Sequence, residues 1–404
     1  MWQVTSEIHP LTSVMLHRPG HELENLVPRY LEDLLFDEIP WLKRAQEEHD
    51  GFAQVLRHRG TQVHYLFDLL EDIFRVPSVK EQIIQAHLAY TRLFHADVRK
   101  AVHDYLLQLP HKSTLNMLTA GLAKKDVAQF KTYRTLSDLT ADSYPFYLDP
   151  MPSTYFTRDH GAVIGSKLLV SSMFSLARRR ETIFLGMLQR HHPLFQEQGM
   201  GRWFEEALPT GLEGGDVLVL DERAICIGLS ERTTEEAIET AAQRLLVDQE
   251  ALDTILVIQI PARRSFMHLD TVFTMVDRDK FLIYPGISQQ VKVYRLTRGA
   301  GGRVKAEMVD SLRRALAEAL GLPDVEIIHS GDGDPITAAR EQWGDSTNCL
   351  TVAPGVVIVY NRNQATNRVL QRHGVEVIEI EGSELVRGRG GPRCMSMPLS
   401  RRYE

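Results

Sequence analysis

One supersecondary unit is written twice in this chain, once near each end. Val55-Leu56, Gly60 and Val63 recur at identical spacing as Val369-Leu370, Gly374 and Val377. Each copy begins with an apolar strand, Ser13 to His17 or Val356 to Tyr360, followed by a turn, Arg18-Pro19-Gly20 or Asn361-Arg362-Asn363. A helix follows, placed at Trp41 to Arg57 in the first copy. A glycine then stops it, as glycine does where a helix end needs a left-handed residue. A second strand completes the unit, Gln62 to Leu66 or Val375 to Ile380. A unit of this size cannot bury its apolar face alone, so a chain that uses it at both ends is predicted to close into a ring of repeats.

The middle of the chain carries related units. Lys167 to Ser171 reads as a strand followed by a helix over Arg180 to His191, and Asp216 to Gly228 reads as a hairpin. The helix after that hairpin is expected to start with a capping box, Thr233-x-x-Glu236, and to bury Ala237, Ile238, Ala241 and Leu245 along one face. The segment from about 76 to 141 breaks the rhythm. Ile83-Ile84, Leu88, Leu93, Val98, Val102, Tyr105-Leu106 and Leu109 fall at near-helical spacing with no convincing strand, which predicts an inserted helical bundle. No low-complexity linker flanks it, so it should pack on the body of one catalytic domain spanning 1–404. Gly299-Ala300-Gly301-Gly302 lacks the strand and lysine context of a phosphate cradle and is expected to be a loop.

Composition removes several classes of function. The net charge of -7 is interspersed, leaving no basic tract for a nucleic-acid backbone or an anionic membrane surface. No apolar run is long enough to span a bilayer, and the N-terminal residues do not follow the order of a signal peptide. A cytoplasmic protein is expected, as a homo-oligomer. Cys226, Cys349 and Cys394 are too scattered for a zinc site or a disulfide framework, and no metal or organic cofactor is expected. Cys226 and Cys349 lie in apolar runs and should pack in the core.

Cys394 differs. It sits in Gly388-Arg389-Gly390-Gly391-Pro392-Arg393-Cys394, between a glycine-rich turn and two arginines, a setting expected to lower a thiol pKa. A small buried hydrophobe is the alternative reading of any free cysteine. Other polar residues stand where strands end: Phe156-Thr157-Arg158-Asp159, Glu213-Gly214-Gly215-Asp216, and Arg178 and Arg232 just before helices. Met267-His268-Leu269-Asp270-Thr271 alternates, so a strand there would turn His268 and Asp270 to one face. Carboxylates that hold a delocalised cation, arginines that hold a carboxylate and a thiolate that needs an electrophilic carbon together describe a free amino acid with a guanidinium end.

The chain resembles the arginine deiminase family of the guanidino-group-modifying (pentein) superfamily nearly end to end. The motifs are Ser6-Glu7-Ile8, His17-Arg18-Pro19-Gly20, Leu34-Leu35-Phe36-Asp37, Phe156-Thr157-Arg158-Asp159, Arg178 to Thr182, Glu213 to Val217, Ser230-Glu231-Arg232-Thr233, Met267 to Thr271, Pro354 to Val357 and the Cys394 stretch. The resemblance implies a five-bladed α/β propeller of ββαβ-like units with a helical insertion. It makes Cys394 the nucleophile and His268 with Glu213 the proton-transfer pair. Asp159 and Asp270 then hold the guanidinium, Arg178, Arg232 and Arg389 face the substrate carboxylate, and Phe156 and Ser153 line the substrate. The implied activity is hydrolysis of L-arginine to L-citrulline and ammonia through an S-alkylthiouronium on Cys394, with the substrate's own charge completing activation of the thiol. The alternatives are an amidinotransferase, a deiminase of a modified arginine or other guanidino compound, or a catalytically dead binding module. Ser153 stands where the family usually has asparagine, and His160 where it has proline.

Overall fold

The computed structural model describes residues 1–91, 93, 95–130, 136, 140 and 144–402. The two written-out copies fold alike. Helices Leu42–His58 and Gln364–Arg372 end at Gly60 and Gly374, whose φ values of 83° and 80° require glycine's freedom. Each exit is closed by the same bond: Thr61 N donates to the Leu56 carbonyl and Val375 N to the Leu370 carbonyl, both at 3.0 Å. Leu56 and Leu370 are fully buried beneath these turns. Val63 then lies parallel beside Val14, and Val377 beside Val357.

The unit recurs through the chain. Among the described residues, five sheets share one pattern, in which an antiparallel pair is followed, across a helix, by a parallel third strand. In chain order from Gly161 the strand sets are Gly161–Ile164, Lys167–Val170 and Gly201–Arg202; Val217–Val219, Ala224–Leu229 and Thr254–Gln259; Phe273–Met275, Lys280–Ile283 and Glu326–His329; and Leu350–Ala353, Val356–Tyr360 and Glu376–Ile380. The fifth set joins the chain's ends, because Met397–Arg401 pairs antiparallel with Leu11–Leu16, which runs parallel to Gln62–Tyr65. A parallel neighbour needs a crossover connection, and the helix supplies it. One hairpin, Lys292–Arg298 with Val304–Val309, widens the second of these sheets; its tip holds the glycines expected to form a loop, with Gly301 at φ 69°.

The helical segment interrupts the passage from the first unit to the second. It opens earlier than the hydrophobic spacing marks, with Leu66–Phe74, and continues through Pro77–Ala89, Ala96–Gln108, His111–Ala120 and Lys124–Val127. A two-residue strand, Leu122–Ala123, pairs with Phe146–Leu148 where none was expected. Residues 92, 94, 131–135, 137–139 and 141 of the expected bundle lie outside the described residues. Leu88, Val102 and Leu106 join the cluster that holds Phe184 and Leu188 of helix Glu181–His191, and the His87 ring sits 4.7 Å from that of Phe184. The helices therefore share the core of the sheets.

Two local expectations are corrected. Thr234, not Thr233, caps helix Glu235–Ala242 by accepting from Ala237 N, because the Thr233 hydroxyl is turned inward to donate to Asp216. The alternating stretch Met267 to Thr271 is no strand: Leu269–Thr271 is a 3-10 turn that precedes strand Phe273–Met275. Cys226 and Cys349 are buried, and burial pushes both thiols up.

Candidate active site

Each of the five sheets is entered through a short buried turn, and those turns bring the candidate residues together. Thr157–His160, Gly214–Asp216 and Leu269–Thr271 are 3-10 turns, and tight turns at 344–347 and 392–395 take the same place in the other two units. Close to the first strand each sheet has a buried functional side chain at the turn: Asp159, Asp216, Asp270, Asn348 and Cys394. Hydrogen bonds run from turn to turn. Arg158 N donates to the Cys394 carbonyl at 3.0 Å, Cys394 N to Asn348 Oδ1 at 2.9 Å, Asn348 Nδ2 to the Asp270 carbonyl at 3.2 Å, and Leu269 N to Asp216 Oδ1 at 2.7 Å. The closeness of the turns also explains Gly215, since a Cβ there would lie 2.6 Å from His268 Nδ1.

His268 is buried between two carboxylates, with Nε2 at 2.8 Å from Glu213 Oε2 and Nδ1 at 3.6 Å from Asp159 Oδ1. Burial opposes the imidazolium, but Asp159 and the Glu213 hydrogen bond outweigh it and raise the pKa to about 9. Glu213 is held in place by Phe174 N, which donates to its Oε1 at 3.0 Å. Burial likewise opposes ionisation of Glu213 and Asp159, and the cationic neighbours, His268 foremost, hold both below the usual carboxylate range.

Cys394 Sγ lies 3.6 Å from Asp270 Oδ2. Its pKa is pushed well up, by burial first and then by Asp270, Asp159 and Asp345, with Arg393 opposing. This corrects the expectation of an electropositive cysteine. Arg393 is too well paired to act alone on the sulfur: its Nη1 bonds Asp270 Oδ2 at 2.8 Å, its Nη2 the Val217 carbonyl at 2.9 Å and Glu7 Oε1 at 3.1 Å. Without a further cation, Cys394 is a thiol.

The arginines differ among themselves. Arg178 is already occupied, with Nη1 on Asp159 Oδ2 at 2.7 Å, Nη2 on Glu181 Oε2 at 2.8 Å and Nη2 3.5 Å from the Ser153 carbonyl. Arg232 is buried with Nη1 lacking a partner among the described residues. Arg389 is buried in the left-handed region at φ 66°, its guanidinium 3.5 Å from the Trp343 ring centroid and its Nε and Nη1 likewise without partners. Phe156 is buried where a Cβ on Gly390 would meet its ring at 2.3 Å. Ser153 is buried in the turn Pro152–Tyr155, and His160 Nε2 lies 3.3 Å from Glu181 Oε2.

A protein-family model, arginine deiminase, matches residues 32–401. An arginine deiminase of Staphylococcus epidermidis is 45% identical over 404 residues, covering 99% of this chain and 98% of that protein. One of Bacillus cereus is 44% identical over 403 residues, with the same coverage of both chains. The chain belongs to the arginine deiminase family. Solved structures agree on the fold of this arginine deiminase family member. An amidinotransferase of Microseira wollei superposes with a TM-score of 0.60 at 14% identity over 100% of this chain and 98% of its own. The N-terminal domain of a cyanobacterial arginine dihydrolase does so at 0.54 and 14% identity, covering 96% of this chain and 97% of that domain. The fold is the α/β fold of the penteins.

Several residues had no role assigned from the sequence. Asn348 positions both Cys394 N and Gly391 N through its Oδ1, at 2.9 and 3.1 Å. Asp216 joins three loops through Leu269 N, Ser230 Oγ and Thr233 Oγ1, each at 2.7 Å. Glu181 shares Arg178 with Asp159, and Glu7 lies among Arg158, Arg393 and Arg401. Placing the five turns in register would have picked out Asn348 and Asp216, as both stand where Asp159, Asp270 and Cys394 do.

Proposed function

We propose that this chain hydrolyses L-arginine to L-citrulline and ammonia, acting on the C–N bond of a linear amidine with Cys394 as nucleophile. The observation that carries the reading is a thiol and an imidazolium buried together between Asp159 and Asp270, with Asp159 Oδ1 lacking a hydrogen-bond partner among the described residues. A guanidinium placed there satisfies that oxygen and pairs with both carboxylates.

The added positive charge offsets the carboxylates that keep Cys394 protonated, and the thiol proton leaves to solvent. The thiolate adds to the guanidinium carbon, His268 gives its proton to the departing nitrogen, and the C–N bond breaks to release ammonia. Neutral His268 then takes a proton from water, whose oxygen attacks the S-alkylthiouronium carbon; the C–S bond breaks as the adduct's remaining O–H proton passes to the sulfur, returning the thiol and citrulline. Arg232 and Arg389, with partnerless N–H groups, receive the carboxylate, and Arg178 fixes Asp159. Phe156 and Ser153 line the substrate's path.

The test is incubation with arginine alone. Citrulline and ammonia should appear in equal amounts, and Cys394→Ala should abolish both while the protein stays folded. Strict dependence on an added amine would instead mean amidino transfer, and turnover by Cys394→Ala would refute the nucleophile.

A further inference from the structure

Asp216 is fully buried, and its carboxylate is divided between two parts of the pocket. Oδ1 accepts from Leu269 N, the residue between His268 and Asp270. Oδ2 accepts from the hydroxyls of Ser230 and Thr233, which stand on either side of Glu231 and Arg232. All three bonds are 2.7 Å long, the short length of hydrogen bonds to an ionised acceptor.

The hydroxyls pass the restraint on. Ser230 Oγ accepts from Arg232 N at 3.0 Å and from Thr233 N at 3.2 Å, and Thr233 Oγ1 accepts from Glu213 N at 3.2 Å. The loop that carries Arg232 is therefore tied to the turn that carries Asp270 through one side chain. Gly228 leaves room for the tie, because a Cβ there would lie 2.2 Å from Asp216 Oδ1 and 2.7 Å from the Leu269 Cβ. In the proposed reaction Arg232 meets the substrate's carboxylate and Asp270 its guanidinium. The number of methylenes that fits between those two ends depends on how the loop and the turn are held together.

We propose that Asp216 is a positioning residue that sets the length of the substrate: it fixes Arg232 relative to Asp270, so that the pocket takes a guanidino acid of arginine's chain length in preference to one a methylene longer. The inference rests on the proposed function, which gives the two ends of the substrate to those residues. One methylene is worth about 10- to 200-fold in kcat/KM where a pocket is shaped to the chain.

The experiment compares L-arginine with L-homoarginine, one methylene longer, on wild type, Asp216→Asn and Ser230→Ala. Asparagine keeps an oxygen for Leu269 N and loses the second acceptor, while Ser230→Ala removes the acceptor of Arg232 N and leaves the charge of Asp216 in place. Wild type should favour arginine by about 10- to 200-fold. In both variants that ratio should fall by more than about threefold, chiefly through a raised KM for arginine. A smaller folded fraction scales both compounds alike and leaves the ratio unchanged, so a purely structural role does not produce this result.

A ratio within about threefold of wild type in either folded variant overturns the proposal. A change in Asp216→Asn alone would mean that Asp216 acts through its charge on His268, a change in Ser230→Ala alone that Ser230 holds the loop without it, and no change in either that Asp216 only supports the fold. Should Asp216→Asn not fold, Ser230→Ala decides by itself. A wild type that handles the two compounds within about threefold of each other also overturns it. Calorimetric binding of both compounds to Cys394→Ala, with and without Ser230→Ala, reads the same ratio without turnover. Selective binding of arginine that is lost with Ser230→Ala, in a protein whose wild type releases no ammonia, would refute the proposed hydrolysis and leave the Asp216 assignment standing.

Discussion

Replacing Glu213 by glutamine separates the charge of the His268 partner from its shape. Phe174 N keeps an acceptor, so the local backbone should hold, while one of the two carboxylates on the imidazole is neutralised. In the native protein His268 stands at about 9 against an ordinary 6.5. At about 1.4 kcal/mol per pH unit, that gap is about 3 kcal/mol in favour of the imidazolium. The gap survives although burial works against it, so Asp159, Glu213 and Asp216 together supply more than this figure. Neutralising Glu213 leaves the burial penalty in place, and at least about 1.4 kcal/mol should be lost, moving the midpoint down by at least about one pH unit. Nitrogen NMR of histidine-labelled protein reads that midpoint directly, with His268→Gln identifying the signal among the 16 histidines. The turnover rate at neutral pH should fall about 10²- to 10⁴-fold, as loss of a tuned acid–base partner does. A midpoint still near the native one in Glu213→Gln would refute the reasoning, since Asp159 and Asp216 would then hold the charge without it.

Asn348→Ala strips the acceptor from two buried N–H groups and the donor from the Asp270 carbonyl, at about 1–3 kcal/mol for each group left unpaired. A lowered thermal midpoint with strongly reduced turnover is expected, and a loss under about 1 kcal/mol would show that the turn at Cys394 holds itself. Glu7, at about 2 against an ordinary 4.5, is held down by Arg393, Arg158 and Arg401 against burial, so it contributes stability above about pH 4.5 that is lost as pH falls through 2. Glu7→Gln should cost about 3–5 kcal/mol at neutral pH and flatten that acid limb, read by thermal unfolding from pH 2 to 6. Cys394 in the free protein should alkylate with neutral iodoacetamide more slowly than glutathione at pH 8 and with a guanidinium-like chloroamidine much faster; the reverse order would show that the thiol is already ionised.

The repeat was legible because helix stops and buried strands are local. Leu56 with Gly60 and Leu370 with Gly374 announce the same turn at both ends before anything else is known. Cys394, His268 and the acids stood out as motif residues, and their turns meet at one place. Electrostatics was not. Arg393 beside Cys394 in sequence suggested a lowered thiol pKa, but a guanidinium's effect depends on what else it binds, and Asp270 and Glu7 come from distant turns. Thr233 failed as a helix cap for the same reason, since its hydroxyl is claimed by Asp216 from another turn. Asn348 sits in a stretch to which the sequence reading gave no role, and only the packing of the turns gives it Cys394, Gly391 and Asp270 as partners.

The two carboxylates that hold the guanidinium in the proposed function are also the ones that keep the nucleophile silent. Asp270 bonds Arg393 and touches the Cys394 sulfur, and Asp159 faces His268, so the free pocket holds a protonated thiol beside a protonated imidazole. For the proposed reaction that state lacks its nucleophile, although the acid for the first step is ready. A neutral urea, such as the product citrulline, adds no charge and leaves the thiol protonated. A planar cation between Asp159 and Asp270 lowers the energy of thiolate where its carbon comes within reach, so recognition and activation become one event. The placement of Arg393 follows from this. Paired with Asp270 and Glu7, it keeps the buried acids from raising the thiol beyond recovery, without itself releasing a thiolate to stray electrophiles.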